Sequence, residues 1–265
     1  MQNRHIDRKR YFDELAKTSE EFYIDYLKPY KNIGPGCKVL EIGCGEGGNL
    51  LPFAQAGCKV AGLDLAAGKI DNARKFFATL ETEGEFACAD FLKTNPFEND
   101  GLFDIILIHD VIEHIEPEGK DAFFERLKMY LKPDGVIFFA FPAWQMPFGG
   151  HQQICRSKVC SKVPFMHVLP VFMYKAWLKM FGEQKDKIDE LLSIKRSRMT
   201  PEKFEKLCAG HGYGIKDRIF WFFSPHYKTK FNLTPRRLWK PLAHIPYLRN
   251  WFTTSCFYLI IEESK

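Results

Sequence analysis

An apolar strand that runs straight into a crowd of glycines constrains this chain more than any other feature. Val39, Leu40 and Ile42 read as a short buried strand, and Gly43, Gly45, Gly47 and Gly48 fill the turn after it. Leu50, Leu51, Phe53 and Ala54 then recur at helical spacing. Glycine adopts backbone angles barred to other residues and lets a ligand approach the main chain closely. The helix start that follows offers unpaired N–H groups to a polar or anionic ligand. Strand, glycine turn and helix together form a nucleotide-binding arrangement. Gly43, Gly45 and Gly48 satisfy G-x-G-x-x-G, and Asp64 follows at the offset of about 20 residues that the dinucleotide fingerprint requires. On spacing alone, an NAD(P)-dependent oxidoreductase stays open.

Glu41, two residues before the first glycine, discriminates between nucleotides. A carboxylate at the end of a buried strand needs a cationic or hydrogen-bonding partner. It would repel a pyrophosphate and welcome a ligand bearing an ammonium group, directly or through water. Hydrophobic-(Asp/Glu)-x-Gly-x-Gly-x-Gly, here Glu41, Gly43, Gly45 and Gly47, resembles the first motif of the class I S-adenosylmethionine (SAM)-dependent methyltransferases. The resemblance implies a doubly wound α/β fold with a seven-stranded, mostly parallel sheet and inserted lid segments. It also implies SAM as cofactor, with S-adenosylhomocysteine as product. Glu41, Gly43, Cys44 and Gly45 then form the cofactor turn, and Asp64 with Leu65 ends the second strand, where the acid accepts the ribose hydroxyls. In the same pattern Asp90 bonds the adenine amino group and Phe91 packs on the ring.

The rest of the chain alternates strands and helices, which argues for a parallel sheet covered on both faces. Cys58–Asp64 reads as the second strand, Gly68–Leu80 as a helix and Phe86–Leu92 as the third strand with its exit. Phe103–His109 is a continuous apolar run, as a central buried strand should be. A helix over 119–131, the turn Lys132-Pro133-Asp134-Gly135 and a strand over 136–142 complete the first half. Thr200-Pro201 starts a later helix, with Thr as cap and Pro at the first position. Strands are expected over 215–223 and 255–262. Residues 6–33 predict two short helices. The expected organisation is helices over the cofactor at 1–33, a core at 34–143 and 200–262, and lid insertions at 144–199 and 224–252. In the family such N-terminal helices cover the cofactor, which would place Tyr11 or Phe12 near it, although packing against the domain is the simpler reading.

Methyl transfer from a sulfonium is an in-line displacement in which the protein fixes distance and angle and removes a proton where the nucleophile carries one. His109 and His114 lie at the exit of the fourth strand, and His151 follows Gly149-Gly150. All three are candidate catalytic bases, and His109 also borders the cofactor. Asp110, Glu113 and His114 resemble the Glu-x-x-Glu-His stretch of magnesium-dependent SAM enzymes, but with Asp in the first place and His151 as the candidate fourth ligand. Many metal-free relatives carry similar sequences, and sequence alone assigns no metal ligand. His151, Cys155, Cys160 and His167 do not match the spacing of zinc sites, where short Cys pairs recur.

Charge divides the chain. Residues 1–143 carry 17 Lys+Arg against 24 Asp+Glu, and residues 144–265 carry 21 against 9, so the overall +5 conceals −7 and +12. All five tryptophans lie in the basic part. Basic residues interleaved with aromatics suit a small or amphiphilic acceptor, or an anionic membrane surface. No recognised RNA-binding signature is present, which disfavours an RNA methyltransferase. The eight scattered cysteines, the lack of an apolar stretch after the basic N-terminus and the lack of a long apolar run lead to an expected cytoplasmic protein, peripheral to a membrane at most.

Overall fold

In a computed structural model, residues 7–263 are described, so the first six residues of the expected N-terminal segment lie outside the description. The strands are β1 (Lys38–Ile42), β2 (Lys59–Asp64), β3 (Glu85–Cys88), β4 (Phe103–His109), β5 (Leu131–Phe141), β6 (Tyr213–Phe223), β7 (Arg236–Arg237) and β8 (Ser255–Glu262). They form one sheet in the order β3-β2-β1-β4-β5-β8-β6-β7. The first five pair in parallel, while β8 runs antiparallel to both β5 and β6. The expected seven strands are all present. The eighth is a two-residue edge pair, Arg236–Arg237 against Trp221 and Phe223, inside the second insertion.

Period-two alternation sorts the buried side chains into two cores, one on each face of the sheet. Leu40, Ile42, Ile106, Ile108, Phe139, Phe141 and Tyr258 face α5 (Lys120–Lys128) and α8 (Pro201–Gly210) through Phe123, Phe124, Leu127 and Phe204. Val39, Ile105, Leu107, Phe138 and Leu259 face the other way, toward Ile70, Ala73 and Phe77 of α4 (Ala67–Thr79) and toward the N-terminal helices. Helix α8 begins as its sequence dictates: Thr200 Oγ1 accepts from Lys203 N at 3.2 Å, and Pro201 takes the first position. The helix after the glycine turn is shorter than its apolar spacing suggests. A single 3₁₀ turn (Gly48–Leu50) leads into α3 (Leu51–Gln55).

The N-terminal segment departs from the two separate helices expected. α1 (Arg8–Thr18) continues through a π turn (Ser19–Tyr23) into α2 (Ile24–Leu27). The wide turn rotates Tyr23 inward against Phe138 and Phe257. Phe12 and Leu15 anchor α1. Burying two such side chains contributes about 1.5–3 kcal/mol each, against at most about 1 kcal/mol for an exposed pair such as Lys9–Asp13.

The first insertion carries α6 (Val171–Met180) and α7 (Lys185–Ser197), which enclose a small core of Cys155, Cys160, Tyr174, Leu178, Ile188 and Leu191. Its two ends meet where Trp144 N donates to Met199 O at 2.9 Å. The second insertion carries α9 (His226–Phe231) and α10 (Lys240–Ala243), and α9 lies on α1 through Thr18 and Thr229.

A Cβ added at Gly48 would stand 2.6 Å from Phe12 O and 2.9 Å from Leu15 Cβ, so α1 rests directly on the glycine turn. Gly48→Ala is expected to cost about 1–3 kcal/mol in urea unfolding and to speed proteolysis within α1. Wild-type stability and protection would show that α1 is not seated there.

Candidate functional site

The turn after β1 owes its path to left-handed residues. Gly43, Gly45 and Gly47 have φ of 74°, 56° and 81°. A Cβ at Gly43 would meet Val111 Cγ2 at 2.4 Å, and one at Gly47 would meet the Phe86 ring at 2.8 Å. At Gly45 nothing among the described residues lies within 4 Å. Three of the four glycines are therefore required by packing, and Gly45 is the one that leaves open space for a ligand.

Asp64, at the end of β2, holds this turn in place. Its carboxylate accepts from Gly45 N at 3.0 Å and from Ala66 N at 2.9 Å, and Lys69 Nζ stands 3.5 Å away. Glu41 lies deeper, 1% exposed, and accepts from Asn49 Nδ2 at 2.6 Å through one oxygen only. Its other oxygen is buried without a hydrogen-bond partner. Burial pushes the Glu41 carboxyl up to about 8, Asn49 pulls it partly back, and Asp64 adds to the rise. Cys44 is buried beside Gly62, with its thiol pushed up by burial and by Glu41 and Asp64. α1 and the π turn after it close the turn from outside: Arg8 Nε donates to Glu46 Oε1 at 2.6 Å, and Ser19 Oγ to Asn49 O at 2.7 Å.

Leu65 stands 74% exposed just after Asp64. Asp90 remains at the exit of β3, accepting from Leu92 N at 3.0 Å and pairing with Lys93 at 3.0 Å. The Phe91 ring is 5% exposed and packs on Phe123 and Tyr130 at 5.0 and 5.2 Å, so most of its surface is taken up by the core. Phe12 is likewise a core residue, packed on Phe76 and Phe77. Tyr11 lines the cleft.

That cleft, of about 550 Å³, is lined by Arg8, Tyr11, Lys69, His109, Asp110, His114 and His151, with Lys187 and Glu190 from α7 and His226, Tyr227 and Lys230 from α9. The three histidines named from sequence thus line one cleft. They reach it differently. His109 ends β4, beside the Tyr23 ring at 5.9 Å. Asp110 takes a left-handed φ of 52°, which turns the chain sharply out of the sheet. The segment after it is a turn and not a helix, and Asp110 Oδ2 stands 3.7 Å from His109 Nε2. Burial alone would raise the Asp110 carboxyl, but His109, His151, His226 and His114 outweigh it and hold the carboxyl below its ordinary value.

Glu113, His114 and His151 converge instead. Their ligand atoms all lie within 4.8 Å of one another. His151 Nε2 stands 3.4 Å from Glu113 Oε1, and the two imidazoles meet edge to face at 4.8 Å. Glu113 is 3% exposed, and among the described residues neither carboxylate oxygen has a hydrogen-bond partner. The two histidines respond oppositely. Burial and the neighbouring His151 lower His114, whereas Glu113 and Asp110 overcome the effect of burial and raise His151. His151 reaches this place because a Cβ at Gly150 would overlap His167 Cβ at 2.2 Å, and one at Gly149 would meet Trp144 O at 2.3 Å. His167 is structural: its Nε2 pairs with Trp144 O at 2.8 Å, while Cys155 and Cys160 are buried in the insertion core. Lys120 fixes the Glu113 turn, donating to Ile112 O, Ile115 O and Ser197 Oγ at 2.6, 2.8 and 3.0 Å. Its ammonium is pushed down to about 8, chiefly by burial.

Sequence reasoning missed Asn49, Glu46, Lys69 and Lys120. The first two sit inside the motif but are not part of its pattern, and the lysines find their partners only through the fold.

Residues 39–135 match a family described as a methyltransferase domain. That span holds the glycine turn, Asp64, Asp90 and the exit of β4, and it is a part of the chain that resembles SAM-dependent methyltransferases. It is 29% identical over 211 residues to phosphoethanolamine N-methyltransferase 1 of Zea mays, covering 74% of this chain and 40% of that one. It is 32% identical over 123 residues to a ubiquinone biosynthesis O-methyltransferase of Actinobacillus pleuropneumoniae, covering 44% and 50%. The chain spans half or less of the length of these curated relatives. A SAM-dependent methyltransferase from Clostridium acetobutylicum superposes with a TM-score of 0.59 at 13% identity, covering 94% of this chain and 92% of that one, a likeness of fold. These likenesses favour a methyltransferase over the NAD(P) alternative left open by the glycine spacing.

The Glu41 carboxyl yields a stability prediction. With its folded value raised from 4.5 to about 8, the fold keeps a proton that the unfolded chain releases, so stability falls as pH rises through that window. Glu41→Gln removes the penalty. The variant is expected to gain a few degrees of Tm over wild type near pH 8 and little near pH 5. Parallel thermal melts across that range check this, and a pH-independent difference would contradict a buried, proton-holding Glu41.

Proposed function

We propose that this methyltransferase binds SAM between Gly45, Glu41 and Asp64, and passes the methyl group to an oxygen or nitrogen nucleophile of a small or amphiphilic acceptor. The observation that carries the acceptor half is the Glu113–His151 pair, placed in the same cleft as Lys69, which borders Asp64. The family and the printed names of the relatives, which cover N- and O-methylation, support the reaction class and favour a small acceptor over RNA.

The division of labour follows from burial and charge. Asp64 offers lone pairs to the ribose hydroxyls while its backbone bonds keep it in place. Asp90, anchored by Leu92 N, is held for the adenine amino group. Glu41 meets the ammonium end, and binding a cation shifts its proton equilibrium toward release. On the acceptor side Glu113 orients the His151 ring and stabilises its protonated form. The other ring nitrogen of His151 takes the proton from the hydroxyl or amine as the methyl bond forms. His114, kept neutral by burial and by His151, lines the same cleft and can accept a hydrogen bond from the acceptor. His109 borders both halves.

A second reading uses the same three side chains. A carboxylate and two imidazoles with open positions suit a divalent transition ion, and the unpartnered Glu113 oxygens fit such a donor set. Glu113, His114 and His151 would hold the ion, which would supply Lewis acidity to an acceptor oxygen. Asp110, though close in sequence, is not part of this group. Chelator-treated protein titrated with Zn²⁺, Mn²⁺ or Mg²⁺ decides between the readings. A saturable rise in Tm, lost in His114→Ala, supports the metal, and an unchanged melt leaves Glu113–His151 as a base pair.

Calorimetric titration tests the cofactor. SAM and S-adenosylhomocysteine are expected to bind saturably with proton release that Glu41→Gln abolishes, and Asp64→Asn should weaken both about tenfold or more, the loss of a charge-assisted hydrogen bond. Binding of NADH in their place would end the proposal.

For catalysis, His151→Ala should lower kcat by about 10²–10⁴-fold with SAM affinity retained. The wild-type rate should rise with pH through a value above 6.5, the ordinary histidine value, because His151 must first lose its proton. Glu113→Gln should move that limb to lower pH, because the carboxylate that raises His151 is gone. A limb that stays in place would remove His151 from the role of base.

A further inference from the structure

The proposed reaction leaves one large feature of the molecule unused. α6 buries only Tyr174 and Leu178. Phe172 and Met180 stand 74% and 71% exposed, eight residues apart and so on one face of the helix, and Lys175 and Lys179 lie beside them. The apolar surface does not end with this helix. The loop before it carries exposed Phe165 and Val168, and the Phe165 ring meets Trp251 of the second insertion at 5.9 Å. From there Phe252, Leu248 and Tyr247 are exposed, and Trp239, at the head of α10, is 72% exposed. Two insertions that are distant in sequence therefore meet at Phe165 and Trp251, and both carry exposed apolar side chains.

The two stretches that carry these side chains are basic, and Glu202 and Glu205, which reach them from α8, are paired with Arg249. No Asp or Glu occurs from 144 to 182, where five Lys and Arg fall, and none from 218 to 261, where seven fall. A protein partner would have to match both the basic charge and an unusually greasy surface. A second copy would bring like charge against like. An anionic bilayer matches both features at once, because Trp and Tyr favour the interface and each Lys or Arg gains from acidic head groups. Among the described residues no helix is long and apolar enough to cross a membrane, so contact would be along the surface.

We infer that the face built by Phe165, Phe172, Met180, Trp239 and Trp251 docks the protein on anionic lipid bilayers. The same two insertions supply Phe148, Ile154, Tyr227 and Lys230 to the cleft wall, so the elements that would meet the lipid are the ones that enclose the acceptor. The docking does not depend on the proposed reaction, and it is tested without turnover.

Full-length protein is sedimented with phosphatidylcholine vesicles and with vesicles also containing phosphatidylglycerol, at low and high salt. The expected result is partition onto the anionic vesicles only, weakened by salt. Phe172→Glu with Met180→Glu, and separately Lys175→Glu with Lys179→Glu, should each reduce partition about tenfold or more. Melting temperature and S-adenosylhomocysteine titration show that the variants remain folded with the cofactor half intact. If anionic vesicles leave the wild-type protein in solution, or if neither double variant changes partition, the inference is wrong. It is also overturned if the wild-type chain proves to be a dimer that Phe172→Glu with Met180→Glu dissolves, because a second copy then covers the face. Loss of S-adenosylhomocysteine binding with lipid partition intact would count against the cofactor reading and leave the docking surface standing.

Discussion

Close approach at the glycine turn is the constraint on which the rest of the structure depends. Val111 from the β4 exit, Phe86 from β3 and the backbone of α1 at Phe12 all press into places where a Cβ at Gly43, Gly47 or Gly48 would stand. The turn is therefore the meeting point of three otherwise separate parts of the fold. Asp64 then ties the turn to the exit of β2, accepting from Gly45 N in the turn and from Ala66 N just beyond the strand. A side chain at any of the three packed glycines would push the acceptor wall, the third strand or the N-terminal cover away from the others, and Gly45 alone escapes this role. The open space and the rigidity around it come from the same residues.

Much of the fold was legible because its signals are local. The strand Phe103–His109 is one uninterrupted apolar run, and Thr200-Pro201 is a helix start that needs no tertiary help. The third strand and the N-terminal helices were less clear. β3 ends at Cys88 rather than running on to Leu92, and the π turn at Ser19–Tyr23 has no marker in its sequence. The two-residue strand Arg236–Arg237 exists only because β6 offers an edge to pair with. A pattern cannot show an edge that the fold creates.

The candidate site follows the same rule. Glu41, the glycines and Asp64 form a contiguous signature with a fixed offset, and they assemble as the spacing implies. Phe91 shows what the motif leaves out: the packing of its ring on Phe123 and Tyr130. His151 was a candidate through its glycines alone, and the reason those glycines matter, the nearness of His167 and Trp144, is visible only in three dimensions. Asp110 is grouped with Glu113 and His114 in sequence through the Glu-x-x-Glu-His resemblance. A left-handed Asp110 sends it toward His109 instead.

The first insertion has its own small core, and its ends are joined by the hydrogen bond from Trp144 to Met199. A segment closed at its base and filled from within can loosen as a unit while the sheet stays intact. His151 rides on that segment, whereas Glu41 and Asp64 belong to the sheet and its turn. Heat or denaturant therefore has a weaker hold on the nucleotide half than on the imidazole. The protein would pass through a state that still recognises its cofactor but has lost the group proposed to receive the proton, so ligand binding would outlast turnover as the fold is stressed.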